Sequence, residues 1–260
     1  MEPLSCEYRL GLVLSGGGAR GFSHLGSVKA LMELGYQFDI IAGTSMGAIV
    51  GCILADGYHP EEIIQMLTLP LLKSFYKTHV TKNGVMTMKG GQEFLKKILR
   101  TKNIENLKIP FVAAATDVIK GENHYFDKGN IINAVTASAS IPVVFEPTII
   151  DGNMYVDGGV LNNLPVRCIR EKCDKIVGFH VNPQSIGLHE GKVDGIHQIA
   201  ERTFHLAMLG NVIQDKILCD IFIEHNNLDA YSMFDFDKMK DIVDIGYNNT
   251  KKALFTTPID

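Results

Sequence analysis

No segment of this 260-residue chain joins a charged leader to a long apolar stretch, and its first apolar run, Leu10-Gly11-Leu12-Val13-Leu14, is only of strand length. Neither a signal peptide nor a membrane-spanning helix is therefore expected. The chain has no basic block either, and its formal net charge is only -4. That removes the electrostatic case for a nucleic-acid partner. A disulfide framework is also missing: the five cysteines, Cys6, Cys52, Cys168, Cys173 and Cys219, are odd in number and scattered. Reduced thiols in a reducing compartment follow, so the expectation is a cytoplasmic protein, with peripheral membrane contact left open. Cys168 and Cys173 lie close together, but no second cysteine or histidine pair stands at zinc-site spacing, so they read as two thiols on a helix. No metal and no cofactor are implied. Repeats, low-complexity tracts and linkers are absent, and with 46% hydrophobic residues the chain can bury one sizeable core. Residues 1–260 read as a single domain of unspecified oligomeric state.

What the chain does have is alternation. Apolar runs of strand length at Leu10–Leu14, Ile40–Ala42, Pro110–Ala115, Lys175–Val181 and Asp220–Glu224 are separated by helical patterns. Those patterns lie at Ser27–Leu34, Met46–Asp56, Glu61–Met66, Gln92–Leu99, Ile131–Ser138, Leu164–Glu171, Gly195–Leu218 and Phe236–Leu254. This order predicts an α/β fold with a largely parallel sheet covered by helices. Thr68–Gly91 differs, mixing Leu69, Leu71, Leu72, Phe75 and Tyr76 with Lys73, Lys77, Lys82 and Lys89. It reads as an ordinary helix-and-loop insertion packed on the sheet, with a cap over a lipid-like site as the other reading.

The most informative residues are Gly43-Thr44-Ser45-Met46-Gly47, which set a serine between glycines after the run Phe38–Ala42 and before the apolar helical run Ala48–Ala55. A nucleophile elbow has this form, because the strained strand-to-helix turn leaves no room for side chains two residues either side of the serine. The following helix aims N–H groups at the serine.

Upstream, Gly16-Gly17-Gly18-Ala19-Arg20-Gly21 follows the first strand and precedes a helix. As G-x-G-x-x-G it could hold a dinucleotide, but the acid at the right distance, Asp39, begins the second strand and sits at the wrong end of it. A phosphate loop of the Walker type fails because Phe22 stands where lysine is required. Backbone N–H groups of such a loop beside Ser45 could instead stabilise an oxyanion, each good donor lowering the barrier by about 3 kcal/mol. Arg20 could anchor the loop or meet a phosphate head group.

A serine needs a group to take its proton. His180, at the end of a predicted strand, is the best histidine, with His197 and His205 behind it. Asp157 is the stronger candidate, because Tyr155-Val156 delivers its carboxylate into the double-glycine turn Gly158-Gly159, where another loop can approach closely. Asp151-Gly152 reads as an ordinary hairpin turn. Met46, Met66, Met86 and Met88 could line an acyl tunnel, although core filling is the default role of methionine.

GGGARG at Gly16–Gly21, GTSMG at Gly43–Gly47, ASASIPVVFEP at Ala137–Pro147 and DGGVLNNLP at Asp157–Pro165 stand in this order and spacing along essentially the whole chain. In this the sequence resembles the patatin-like phospholipases, with no departure at a motif position. The resemblance implies a three-layer α/β/α sandwich and a Ser-Asp dyad in which Ser45 is the nucleophile and Asp157 the general base. Gly17, Gly18 and Ala19 would form the oxyanion hole, supported by Gly16, Arg20, Gly21, Gly43, Gly47, Gly158 and Gly159, with Asn162, Asn163 and Pro165 as structural members of the last block. The implied activity is hydrolysis of lipid carboxylic esters, of phospholipase A or lysophospholipase type. An acyltransferase using the same acyl-serine is the enzymatic alternative, and a nucleotide-binding module using the glycine loop the non-enzymatic one.

Overall fold

Strands that are apolar on both faces require cover on both sides, and the chain supplies it by alternating strands with helices. In a computed structural model, which describes residues 6–67, 86–183, 196–256 and 258–259, the strands are β1 (Tyr8–Leu14), β2 (Ile40–Thr44), β3 (Phe111–Asp117), β4 (Glu122–Phe126), β5 (Thr148–Ile150), β6 (Asn153–Asp157), β7 (Cys173–His180) and β8 (Ile221–Glu224). The helices are α1 (Ser23–Glu33), α2 (Met46–Ala55), α3 (Pro60–Leu67), α4 (Lys89–Ile98), α5 (Ile131–Ser138), α6 (Ile196–Lys216) and α7 (Met239–Thr256). One eight-stranded sheet runs β5-β6-β3-β2-β1-β7-β8, with β4 added to β3. The stretch β3-β2-β1-β7-β8 is parallel throughout, so the expected mostly parallel sheet is present. Residues 68–85, most of the segment expected as a cap, lie outside the described residues.

Side chains alternate across β1: Leu10, Leu12 and Leu14 join the larger core beneath α1, α2, α3, α4 and α7. Val13 points the other way, into a core with Leu164, Val166, Ile169 and Val212 of α6. The sheet is thus the middle of three layers.

The structure departs from the sequence reading in three places. Leu164–Glu171 is not a helix but a series of turns ending in a 3-10 turn at Arg170–Lys172. Leu164, Val166 and Ile169 are all buried, but offsets of two and three residues would place them on different sides of a helix, whereas irregular backbone turns all three into one core. Cys168 and Cys173 are consequently not on one helix, since Cys173 opens β7. Antiparallel β4, β5 and β6 extend the sheet beyond the sequence expectation, because β4 is half-buried and mixed in polarity and β5 is only three residues long. The Asp151-Gly152 hairpin joins β5 to β6 as expected, with both residues at positive φ, 49° and 80°.

The antiparallel addition positions the site. Along Ala113–Asp117, β4 occupies one edge of β3. The other edge is therefore shared: β2 pairs with it up to Ala114, and β6 takes over from Ala115. β2 ends there in the serine turn, and β6 arrives from the opposite direction ending in Asp157.

Candidate active site

Ser45 caps the N-terminus of α2 with φ 54° and ψ -122°, a left-handed backbone rarely held by a residue with a side chain. The flanking glycines make the turn possible by close approach. A Cβ on Gly43 would strike the Gly47 carbonyl, and one on Gly47 would strike the Leu14 carbonyl at the end of β1. The strained turn is held by an unforeseen residue: the Ser45 N–H donates to Ser138 Oγ at 2.9 Å, and that hydroxyl donates to the Ala114 carbonyl at 2.6 Å. Ser45 is 6% exposed and lines a cavity.

Asp157 is 1% exposed. Its N–H donates to the Ser140 carbonyl at 2.9 Å, and its Oδ1 accepts from the Gly159 N–H at 2.8 Å. Oδ2 has no hydrogen-bond partner among the described residues. Burial pushes the carboxyl up from its usual value to about 7, against the opposing pull of the Ser45 hydroxyl and the Gly159 N–H. Gly158, the first residue after β6, passes so close to β3 that a Cβ there would meet the Ala114 carbonyl.

The glycine loop closes as a 3-10 turn over Gly18–Phe22, with Gly18 at φ 58°. Gly16 is fixed on both sides: its N–H donates to the Asn163 carbonyl at 3.2 Å, and its own carbonyl accepts Asn182 Nδ2 at 2.6 Å. Gly21 packs against Met46, leaving no room for a Cβ. The N–H groups of Gly17 and Gly18 have no acceptor among the described residues, whereas the Ala19 N–H donates to the Met233 carbonyl at 2.8 Å. Arg20 is buried rather than offered to solvent. Its Nε donates to the Gly17 carbonyl at 3.4 Å and its Nη2 lies 2.9 Å from His205 Nε2 on α6. Because guanidinium only donates, His205 Nε2 is the acceptor, with its proton on Nδ1. Asp39 is occupied far from the loop, accepting the N–H groups of Arg9 and Leu10 at 3.0 Å each.

The histidines are engaged elsewhere. His180 is buried against the Phe222 ring, with Nε2 3.9 Å from Glu224 Oε1. His205 bonds Arg20, and the side chain of His197 lies outside the described residues. The cavity beside Ser45 holds about 250 Å³ and is walled by apolar residues including Met46, Ile49, Met86, Met88, Phe145 and Phe236. Three of the methionines flagged from the sequence line it, while Met66 packs against the main core. Met233 and Phe234 also line it, and nothing in their sequence surroundings marked them. Ser138, by contrast, sits inside a motif block and was legible as position though not as role.

Comparison with known proteins agrees with this arrangement. The chain resembles an uncharacterized NTE family protein of Mycobacterium tuberculosis, 36% identical over 164 residues, covering 62% of this chain and 46% of that one. It also resembles the lysophospholipase NTE1 of Kluyveromyces lactis, 27% identical over 281 residues, covering 92% of this chain and 18% of that one. The chain thus spans less than half the length of either relative. In fold it is similar to VipD from Legionella pneumophila, with a TM-score of 0.54 at 17% identity, covering 96% of this chain and 67% of that one. The family model for patatin-like phospholipase matches residues 12–168, and the chain belongs to that family.

Proposed function

We propose that the protein is a serine acyl hydrolase that cleaves carboxylic esters of lipids, of phospholipase A or lysophospholipase type, through an acyl-Ser45 intermediate. The observation that carries this reading is the Asp157 carboxyl, buried with one oxygen unpartnered and pushed up to about 7, on the strand that takes over the β3 edge where the serine turn leaves it. A carboxyl poised near neutral pH can both take and return a proton.

The Asp157 carboxylate accepts the hydroxyl proton as Ser45 Oγ bonds to the ester carbonyl carbon, and the carbonyl electron pair moves onto oxygen. The Gly17 and Gly18 N–H groups hold that oxyanion. The carbonyl then re-forms, the ester C–O bond breaks, and the leaving alkoxide takes the proton back from Asp157. Water repeats the sequence on the acyl-enzyme, releasing the acid and restoring Ser45. Ala19 joins as a third donor only if the Met233 carbonyl releases it. The apolar cavity suits an acyl chain, and a lipid substrate brings the protein to a membrane surface; among the described residues no helix is long and apolar enough to cross one. The nucleotide-binding alternative loses support, since Arg20 is turned inward and the Ala19 N–H is taken by Met233.

Hydrolysis of an ester panel varying acyl length and head group tests the reading. Wild type should cleave at least one lipid ester, and Ser45→Ala should lose about 1000-fold or more. Full activity in Ser45→Ala would overturn it.

A further inference from the structure

We propose that Ser138 is a positioning residue for catalysis, holding Ser45 in its strained conformation through a hydroxyl bridge to β3. The inference rests on the reading of Ser45 as nucleophile. At the point where β2 leaves the edge of β3 and β6 has not yet begun, the sheet has a seam beside Ala114. There Ser45, at φ 54°, aims its buried N–H away from any strand partner. A group that accepts from this N–H and also donates to the Ala114 carbonyl satisfies both sides of the seam. Only a hydroxyl does both in so small a volume. Ser138, with no exposed surface, supplies it at 2.9 Å and 2.6 Å.

Without the bridge, Ser45 N–H and Ala114 O would be buried and unpaired, and the turn would be free to relax toward ordinary backbone angles. That relaxation would swing Oγ away from Asp157. Two residues on, the Ser140 carbonyl holds the Asp157 N–H at 2.9 Å. One short segment therefore ties down both members of the proposed dyad. Between its two ties, Ala139 lines the acyl cavity. The bridge also commits the Ser45 N–H, so that it cannot serve as an oxyanion donor.

The test compares Ser138→Ala, Ser138→Thr and Ser27→Ala with wild type. Ser27 is a control of similar burial: its hydroxyl lies 2.9 Å from His225 Nε2 and 3.3 Å from the Gly246 carbonyl, away from the site. In folded Ser138→Ala, kcat on a short-chain ester should fall by about 10- to 100-fold with KM within about threefold, and fluorophosphonate labelling of Ser45 should slow in parallel. Ser138→Thr, which keeps the hydroxyl, should recover to within about threefold of wild type, and Ser27→Ala should lower the melting temperature while leaving kcat within about twofold. If Ser138→Ala does not accumulate folded, Ser138→Cys replaces it with the same expectation, because sulfur bonds weakly and at longer range. Unchanged kcat in the folded Ala or Cys variant, or a Thr variant no better than Ala, overturns the proposal. Absence of any adduct on Ser45 in wild type would instead overturn the nucleophile reading itself.

Discussion

Thr44 and Asp157 stand against consecutive residues on one edge of β3: Thr44 pairs with Ala114, from the parallel side of the sheet, and Asp157 with Ala115, from the antiparallel side. Ser45 follows Thr44 directly, so sheet register brings the backbone of the proposed nucleophile next to that of the carboxylate, and the turn conformation then aims the side chain. A parallel strand and an antiparallel strand meeting end to end bring two chain ends to the same place without a long loop.

The Asp157 carboxyl predicts the pH dependence of the reaction. Only its ionised form accepts a proton, so kcat/KM on a small ester should rise about tenfold per pH unit well below 7 and level off above about 7. Asp157→Asn should lose about 1000-fold or more across the range. A rate independent of pH down to about pH 5 would contradict the assignment.

Acid should destabilise the fold by way of buried neutral histidines. Burial holds His24 down to about 4 and His180, His205 and His225 to about 3, each below its usual 6.5. The unfolded chain binds these protons first as pH falls, so the stability they contribute is complete above about 6.5 and is lost on the way down to 3–4, at about 1.4 kcal/mol per proton per pH unit. Asp157 and Asp215, raised to about 7 and about 6, act in the opposite sense but are fewer. Urea unfolding at pH 7 and pH 5 should give the lower stability at pH 5; a higher value there would count against this account.

Gly18→Ala should damage both the loop and the reaction. The position has φ 58°, and a Cβ would strike the Met233 carbonyl. A shift of the Gly17–Gly18 backbone would remove oxyanion donors, with an expected loss of about 100-fold in kcat and a lower melting temperature. Steady-state kinetics with a thermal melt checks both.

Chain length is set by the cavity if the cavity takes the acyl group. Ile49→Trp would fill part of its about 250 Å³ volume. Each excluded methylene removes about 0.8 kcal/mol of burial, so long-chain esters should lose tenfold or more in kcat/KM while acetyl esters stay within about threefold. Equal losses for both would place the acyl chain elsewhere.

The parallel core of the sheet and the serine turn were legible because continuous apolar runs and paired glycines leave strong local traces. Asp157 was legible as a carboxylate in a double-glycine turn. The neighbouring strands β4 and β5 were not, since neither carries an apolar run long enough to read as a strand. The expectation of a helix over Leu164–Glu171 failed because the segment is apolar without helical periodicity: Leu164, Val166 and Ile169 stand at offsets of two and three residues. Long-range bonds left no local signature at all: Arg20 with His205, Ala19 with Met233, and Ser45 with Ser138 join residues that only the fold brings together.

The most direct test of the central claim is mass spectrometry of the protein after reaction with a fluorophosphonate, with labelling rates for wild type, Asp157→Asn and His180→Ala. The account predicts one adduct, on Ser45, formed at near wild-type rate in folded His180→Ala and about 100-fold or more slowly in Asp157→Asn. An adduct on another residue, or a labelling rate that depends on His180 and not on Asp157, would contradict it.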